Sequence, residues 1–439
     1  MRRNLAVVFQ QSDLVLGNSP LGGIFMINSL RMKSPAPTWS ARIFASLMFS
    51  VSLVAVHGAQ AQSLDPNVKD GPQGSIFWDD VPQDVPADAK RGDIYWVQQR
   101  QDAPEGSKGW NMIYVTEGAD GALTYVSGEI YLPNQESSGP RPLVLWNHET
   151  AGTQDSCAPS RRSLVSAYGP RIPALKELLD RGYAVVGSDY QGLGTPGATA
   201  YLNGLAQAHA SLDAARVALK FPGANADRHF TTYGWSQGGQ TSLWVAHIQE
   251  TYAPELDLLG VGAIAPASRH WDLTEYDLTT TITGGYYISR MAGLNAGHPE
   301  LKLRDVLSVD GLEMLEKMSA GCWDIAAAAG GHPTTLFANQ EGLQPGKPWR
   351  VLLEENDKFL PVKNVPFVFF QGDKDDAVPE TLTHKVAVDI CGQSTSVDYR
   401  KSAGLDHENI VPVAAAALPE WFAERFEGKA SANNCSALK

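Results

Sequence analysis

Apolar strand-length runs alternate with stretches of helical periodicity over most of the chain. Four segments are continuously or nearly continuously apolar over a strand length, namely 143–146, 183–188, 259–264 and 365–370, and 230–233, which follows a turn-rich segment, is predicted as a further short buried strand. Between and after them, apolar residues recur at helical spacing in 172–179, 202–219, 240–251 and 380–390. Strands that are apolar on both sides and alternate with helices predict an α/β protein, with a mostly parallel sheet covered by helices on both faces.

The start of the sheet has a different pattern. Segments 111–116 and 122–132 alternate apolar and polar residues, which predicts an antiparallel pair of strands. A short strand at 397–400 completes the series before the C-terminal region.

One connection is much longer than the others. About 100 residues separate the segments 259–264 and 365–370, far more than one crossover helix needs. We therefore predict an inserted helical lid or cap at 267–363, which divides the core into 62–266 and 364–439. Five apolar residues of this insertion could line an acyl pocket: Tyr286, Tyr287, Met291, Trp323 and Ile325. Apolar residues at helical spacing are, however, also typical of a plain core.

The first 61 residues differ from the rest of the chain. Met32-Lys33 offers a second start, Arg42 ends a basic region, 43–56 is apolar, and 59–61 reads Ala-Gln-Ala. This order predicts a secretory signal peptide that is removed. We interpret the residues before Met32 as lying upstream of the true start.

No stretch of the chain favours a membrane anchor. The apolar part of the leader is short for a span, and no later segment reaches the ~20 apolar residues that a transmembrane helix needs. Residues 1–61 carry five of the 35 basic and one of the 48 acidic residues, so their removal changes the net charge from −13 to −17. Such an acidic surface argues against nucleic acid or an anionic membrane as a partner.

All four cysteines lie after the predicted leader. An even number of cysteines in a secreted chain predicts disulfides, and three pairings are open. We favour Cys157 with Cys322, which would tie the insertion to the core, and Cys391 with Cys435, which would hold the C-terminal tail.

Residues 233–240 read YGWSQGGQ and predict a nucleophile. Gly234, Ser236 and Gly238 form the G-x-S-x-G pattern of a nucleophile elbow, a sharp turn between a strand and a helix. The pattern is weak alone, but here an apolar strand precedes it and a helical stretch follows. We therefore predict that Ser236 is the nucleophile of an acyl transfer.

To act as a nucleophile, a serine needs a histidine that accepts its proton and a carboxylate that orients the histidine. In the fold that carries a nucleophile elbow, these residues follow in the chain order Ser, Asp or Glu, His. An acidic cluster follows the strand ending at Phe370, where the carboxyl edge of the sheet places active-site groups. We choose Asp375 as the acid, with Asp376 and Asp373 as alternatives. His407 is the predicted base, since it lies in a loop after a strand.

Other histidines fit less well. His384 falls within a predicted helix and is better explained as a residue on a helix face, and the histidines that precede the acidic cluster would break the chain order. His407 therefore remains our choice.

Stabilisation of an oxyanion needs backbone N–H donors. The N–H of Gln237, directly after the nucleophile, is the first predicted donor. The loop after strand 143–146 should supply the second, from Thr150 or Glu149.

Metal catalysis is not favoured by any motif. His148-Glu149 is not part of an H-E-x-x-H pattern, and the acidic cluster departs from a calcium-binding loop at Ala377. We predict neither a metal nor a cofactor.

With these residues placed, the chain resembles the secretory lipase family of α/β-hydrolases. The matching segments are 148–159, 183–192, 234–239, 371–379 and the His407 loop before Trp421. Many members have Gly where this chain has Glu149. The resemblance implies an α/β-hydrolase fold with an inserted helical lid, a serine-dependent carboxylic ester hydrolase without a cofactor, and the disulfide pairing favoured above.

The predicted function is that of a secreted lipase or carboxylesterase, extracellular or periplasmic, acting on a small-molecule or lipid ester. Acyl transfer to alcohols is an alternative on the same acyl-enzyme. A secreted serine aminopeptidase is another, and it would need a carboxylate such as Glu275 or Asp277 at the site. A hydrolase-like binding protein without turnover is disfavoured because all three triad candidates are present. The sequence does not indicate the acyl-chain length or the oligomeric state.

Overall fold

Nine strands form one sheet in the part of the chain that the structure describes. The structure is a computed structural model that describes residues 68–166, 169–322 and 329–439. The predicted leader lies outside the described residues, as do Trp323 and Ile325. The strands are β1 (Ile94–Arg100), β2 (Ser107–Glu117), β3 (Leu123–Pro133), β4 (Arg141–Asn147), β5 (Ala184–Ser188), β6 (Ala226–Trp235), β7 (Asp257–Ile264), β8 (Phe367–Gly372) and β9 (Val397–Ser402).

The sheet has the mostly parallel topology that the sequence predicts. The strand order is β1-β2-β3-β5-β4-β6-β7-β8-β9. Pairs β1/β2, β2/β3 and β3/β5 are antiparallel, and the five remaining pairs are parallel. Strands β4 to β9 therefore present their carboxyl ends along one edge, where an active site of an open parallel sheet forms.

Helices cover both faces of this sheet. The described helices are α1 (Ile76–Asp79), α2 (Leu175–Asp180), α3 (Gly204–Lys220), α4 (Gln237–Tyr252), α5 (His270–Asp277), α6 (Gly284–Asn295), α7 (Val309–Met318), α8 (Pro348–Glu355), α9 (Glu380–Cys391), α10 (Ile410–Phe426) and α11 (Cys435–Leu438). In β4, Leu143 and Leu145 join a cluster that includes residues of α3 and α4. Val144 and Trp146 point the other way, into a cluster with residues of α2 and α10. Alternate residues thus build two cores, as a sheet buried on both faces requires.

The structure differs from the predicted boundaries at several helices. Helix α4 begins at Gln237, three residues earlier than predicted, because two glycines mask the helical pattern there. Helix α2 begins at Leu175 instead of Ile172, since Ala174 has a left-handed φ of 63° that no helix continues through.

The segment between β7 and β8 has a core of its own. Helices α5 to α8 lie in it, and a buried cluster includes Tyr287, Met291 and Trp349. Tyr287 donates a hydrogen bond to the Val306 carbonyl at 2.7 Å. Tyr287 and Met291 are therefore core residues of this segment, the plainer of the two interpretations that the sequence left open.

Both favoured disulfides are present. Cys157 is bonded to Cys322, which ties the loop after β4 to the segment between β7 and β8. Cys391 is bonded to Cys435, which joins α9 to the C-terminal helix. In the described residues, no helix combines the length and the apolar character needed to cross a membrane.

A buried carboxylate on β3 is paired with two arginines. Glu129 on β3 accepts two hydrogen bonds of 2.6 Å from the Arg171 guanidinium and one of 2.6 Å from the Tyr131 hydroxyl. Arg100 lies 3.5 Å away. Burial alone would raise the pKa of Glu129, but Arg171 and Arg100 outweigh it, so the pKa is lowered and the carboxylate is ionised.

Replacement of Glu129 by alanine should therefore lower the free energy of unfolding by about 3–5 kcal/mol, because it leaves the buried Arg171 guanidinium without its counter-charge, whereas Arg100 keeps its ion pair with Asp102. Urea unfolding at neutral pH measures this effect. Glu136→Ala, at an exposed position after the same strand, is the matched control and should change stability by less than about 0.5 kcal/mol. If both substitutions lowered the free energy of unfolding equally, the ion pairs of Glu129 would not be what stabilises the fold here.

Candidate active site

Ser236 lies at a sharp turn between a strand and a helix. Strand β6 ends at Trp235 and α4 begins at Gln237, so Ser236 is the only residue between them. Its φ of 55° and ψ of −115° are rare for a residue with a side chain. Strained backbone of this kind persists where the surrounding structure fixes it, which is common at active sites.

The two glycines of the motif are required by close packing. A Cβ on Gly234 would lie 2.2 Å from the Gly238 carbonyl oxygen, and a Cβ on Gly238 would lie 1.9 Å from the Asn147 carbonyl oxygen. Neither position leaves room for a side chain. The glycine pattern therefore allows the first turn of α4 to pack against the end of β4.

Three backbone hydrogen bonds hold Ser236 in this geometry. Its N–H donates to the Ile264 carbonyl at 2.9 Å, and its carbonyl accepts from Ala267 at 2.9 Å and from Gln240 at 3.1 Å. Gln237 is buried at the N-terminus of α4, where helix N–H groups lack partners within the helix. Its position fits that of an oxyanion donor.

The predicted acid and base are in contact. His407 Nδ1 lies 2.7 Å from Asp375 Oδ2. Asp375 Oδ1 also accepts from the N–H groups of Ala377 at 3.0 Å and Val378 at 2.7 Å. These two donors hold Oδ1 in place and orient the carboxylate toward His407.

The second ring nitrogen of His407 is available for a reacting group. Nε2 is buried and has no hydrogen-bond partner among the described residues. The His407 carbonyl accepts a 3.1 Å hydrogen bond from Trp235 Nε1, and the two rings are 5.4 Å apart. Since Trp235 directly precedes Ser236, this contact holds the His407 loop beside the elbow.

Two supporting residues were not predicted from the sequence. Gln371 Nε2 donates a 2.9 Å hydrogen bond to Asp375 Oδ2. The side-chain oxygen Oε1 of Gln371 accepts a 2.8 Å hydrogen bond from the Thr383 hydroxyl. Trp235 acts on His407 as described above. Gln371 did give a signal, as a polar residue at the end of an apolar strand and just before the acidic cluster.

The alternatives for the acid and the base lie elsewhere. Asp373 is exposed and accepts from the Gly404 N–H at 2.7 Å. Asp376 is also exposed, and its carbonyl accepts from the Tyr276 hydroxyl at 2.7 Å. His384 lies on α9 with its ring against Tyr399. Asp375 is thus the member of the acidic cluster whose carboxylate contacts His407.

The loop after β4 faces the first turn of α4. His148 is buried, its Nε2 lies 3.2 Å from the Asp189 carbonyl, and burial lowers its pKa. It is a neutral structural residue. Thr150 follows, with its hydroxyl 2.8 Å from the Tyr201 hydroxyl. Glu149 has one carboxylate oxygen that is buried without a hydrogen-bond partner among the described residues.

Apolar side chains surround the catalytic candidates. Ser236, Asp375 and His407 are only 6, 8 and 7% exposed. A buried cluster from three parts of the chain lies next to them: Tyr201, Leu202, Ala267, Leu273, Val378 and Leu382, with Tyr276 packed against it. This environment suits a hydrophobic acyl chain more than a charged group.

Of the two carboxylates considered for a peptidase, one lies in a buried ion pair and the other is exposed on a helix. Asp277 is buried and bound to the Arg290 guanidinium, itself fully buried. Glu275 is exposed on α5. Across the described ranges, no group of three His, Cys, Asp or Glu side chains is arranged to hold a metal ion.

Comparison with known proteins identifies the family of the chain. The family model described as secretory lipase matches residues 171–434, more than half of the chain. The chain is 24% identical over 352 residues to the secreted triacylglycerol lipase LIP2 of Malassezia furfur, covering 74% of this chain and 72% of that protein. It is 26% identical over 280 residues to lipase 5 of Candida albicans, covering 60% and 59%.

Solved structures show the same fold. Candida antarctica lipase A in its closed state superposes with a TM-score of 0.67 at 18% identity, over 79% of this chain and 85% of that one. The rice cell wall degrading esterase LipA of Xanthomonas oryzae gives a TM-score of 0.59 at 20% identity, over 78% and 98%. The prediction of an α/β-hydrolase fold is confirmed.

Proposed function

Because the chain belongs to the secretory lipase family and is a carboxylic ester hydrolase, we propose that it is a secreted enzyme that cleaves hydrophobic esters through an acyl-enzyme on Ser236. The main support is the arrangement around His407. Its Nδ1 is held by Asp375, its Nε2 has no partner among the described residues, and its loop is fixed beside the elbow. An imidazole that is oriented through Nδ1 and has an unpaired Nε2 can accept the proton of a serine that approaches Nε2.

The proposed reaction has two halves. His407 Nε2 takes the proton of Ser236 as Oγ attacks the ester carbonyl, and the resulting oxyanion accepts hydrogen bonds from the Gln237 N–H and from the loop that carries Thr150. His407 then protonates the leaving alcohol, and an acyl group remains on Ser236. Water, activated by the same imidazole, releases the acid.

The substrate class follows from the surroundings. The buried apolar cluster adjoins both the nucleophile and the acid, since Ala267 donates to the Ser236 carbonyl and Val378 donates to the Asp375 carboxylate. An acyl chain is the part of an ester that such a wall binds. Because the triad side chains are nearly inaccessible, we propose that the insertion at 267–363 moves to admit the ester.

Secretion is part of the proposal. The relatives named above include a secreted lipase, the structure contains two disulfides, and the leader sequence predicts export.

The proposal is tested by a substrate panel together with covalent labelling. The purified protein is assayed with p-nitrophenyl esters from acetate to palmitate and with aminoacyl p-nitroanilides, and a fluorophosphonate adduct is mapped by peptide mass spectrometry. We expect ester turnover only, with a chain-length optimum, and an adduct on Ser236 that a heat-denatured sample lacks. Turnover of anilides alone, or ester turnover with no adduct on Ser236, would overturn the proposal.

A further inference from the structure

Tyr201 lies where the three parts of the candidate site meet. It shares a buried cluster with Ala267, which donates to the Ser236 carbonyl, and with Val378, which donates to the Asp375 carboxylate. Its hydroxyl is 2.8 Å from the Thr150 hydroxyl. Tyr201 thus belongs to the buried cluster that includes residues of the nucleophile turn and of the acid turn, and its hydroxyl contacts the loop that carries Thr150.

The direction of the Tyr201–Thr150 hydrogen bond follows from burial. Tyr201 is 2% exposed, and in the described part of the chain Thr150 is the one hydrogen-bond partner of its hydroxyl. If Thr150 donated, the phenol proton would be buried without an acceptor, which is unfavourable by about 1–3 kcal/mol. Tyr201 therefore donates to Thr150. Burial also raises the pKa of the Tyr201 phenol, so it keeps its proton at any working pH.

A Thr150 hydroxyl that accepts from Tyr201 still has its own proton to donate. The side chain is half-buried, so one side of it faces away from the packed interior. The backbone at Asn147 and His148 lies against the first turn of α4, since a Cβ on Gly238 would be 1.9 and 2.8 Å from their carbonyl oxygens. Thr150 is two residues further along the same loop, the loop that packs against the residues directly after the nucleophile.

Tyr201 is itself held from the opposite side. A Cβ on Gly293 of α6 would lie 2.1 Å from the Tyr201 carbonyl oxygen, so this helix of the insertion packs directly on the Tyr201 backbone. Tyr201 is thus held at its backbone by α6 and at its hydroxyl by Thr150. Such a fixed donor costs no reorganisation when charge develops.

We propose that the Thr150 hydroxyl is a third oxyanion donor, besides the two backbone N–H groups, and that Tyr201 is the positioning residue that orients it. This inference rests on the function proposed above and extends it to a side chain. Thr150 would touch the reacting oxygen, whereas Tyr201 acts through Thr150.

The test is a set of four variants assayed with one p-nitrophenyl ester. Thr150→Val keeps the shape and removes the hydroxyl, and we expect kcat to fall by about 100-fold with KM nearly unchanged. Thr150→Ser should keep most of the activity. Tyr201→Phe should lower kcat by about tenfold, and Thr150→Val combined with Tyr201→Phe should be no slower than Thr150→Val alone.

Two further measurements separate catalysis from packing. Tyr287→Phe removes a buried hydroxyl in the core of the insertion and should leave kcat unchanged. Diethyl p-nitrophenyl phosphate places a phosphoryl oxygen in the oxyanion position. The rate at which it inactivates the enzyme should therefore fall in Thr150→Val by about the same factor as kcat does. Thermal unfolding of each variant verifies the fold.

The outcomes distinguish this inference from the proposed function. If the wild type labels on Ser236 and cleaves esters but Thr150→Val keeps kcat within about threefold, this inference is wrong and the proposed function stands. If Thr150→Ser is as slow as Thr150→Val, or Tyr287→Phe as slow as Tyr201→Phe, the hydroxyl has no specific role. A wild type without Ser236-dependent ester turnover would remove the proposed function itself.

Discussion

Replacement of Ser236 by alanine is expected to lower kcat for ester hydrolysis by about 10⁶-fold, because the acyl-enzyme can no longer form. The remaining rate should stay above that of the uncatalysed reaction, since the oxyanion donors and the binding surface are unchanged. Stability should change little. Serine and alanine suffer similar strain at a φ of 55°, and the hydrogen bonds at this position are made by the Ser236 backbone.

The measurement is steady-state hydrolysis of a p-nitrophenyl ester at saturating substrate, with protein expressed in a host that lacks background esterase. Ser289→Ala is the matched control, because Ser289 is a buried serine on α6 within the insertion, and it should retain wild-type kcat. A Ser236→Ala variant that kept more than about 1% of the wild-type rate would exclude the proposed nucleophile.

The position of Ser236 could be predicted because its requirement is local. A turn with the geometry seen here leaves no room for a Cβ at Gly234 or Gly238, so the glycine spacing itself carries the steric condition. The alternation of apolar runs and helical stretches also follows from local periodicity, and it predicted the parallel part of the sheet.

Helix α10 and strand β1 were not predicted. Pro419 lies inside α10 and Pro412 in its first turn, and prolines in a helical stretch suggest an interruption that the structure does not make. Strand β1 reads IYWVQQR, four apolar residues followed by three polar ones, so it lacks the alternation that predicts a strand at the start of the sheet.

The acyl-pocket candidates show a different limit. Apolar residues at helical spacing indicate that a helix is buried, but not which neighbour covers it. Tyr287 and Met291 face the core of the insertion. Tyr201 lies in a loop, distant in sequence from Thr150 and from the acid turn. No local pattern connects such residues, because their contacts depend on how the strands and the insertion are assembled.

The choice among three aspartates was also beyond the sequence pattern, since all lie in one short cluster after β8. The structure separates them by contact. Asp375 alone among Asp373, Asp375 and Asp376 is buried, and its carboxylate contacts His407.

Replacement of Asp375 by asparagine is expected to lower kcat by about 10⁴-fold with little loss of stability. The N–H groups of Ala377 and Val378 donate to Oδ1 and would hold the amide oxygen of asparagine in that place. The amide nitrogen would then face His407 Nδ1 and also Gln371 Nε2, a donor that keeps the Gly372 and Val378 carbonyls as acceptors. His407 would have to accept there and carry its proton on Nε2, where it can no longer take the proton of Ser236.

The measurement is kcat and KM for one p-nitrophenyl ester, with thermal unfolding of each variant. Asp373→Asn and Asp376→Asn are matched controls within the same turn, and both should stay within about threefold of wild type because their carboxylates are exposed. If kcat fell more in either control than in Asp375→Asn, Asp375 would not be the acid of the triad. Equal moderate losses in all three would point to a turn that responds to its total charge, since only an orienting carboxylate has an effect confined to one position.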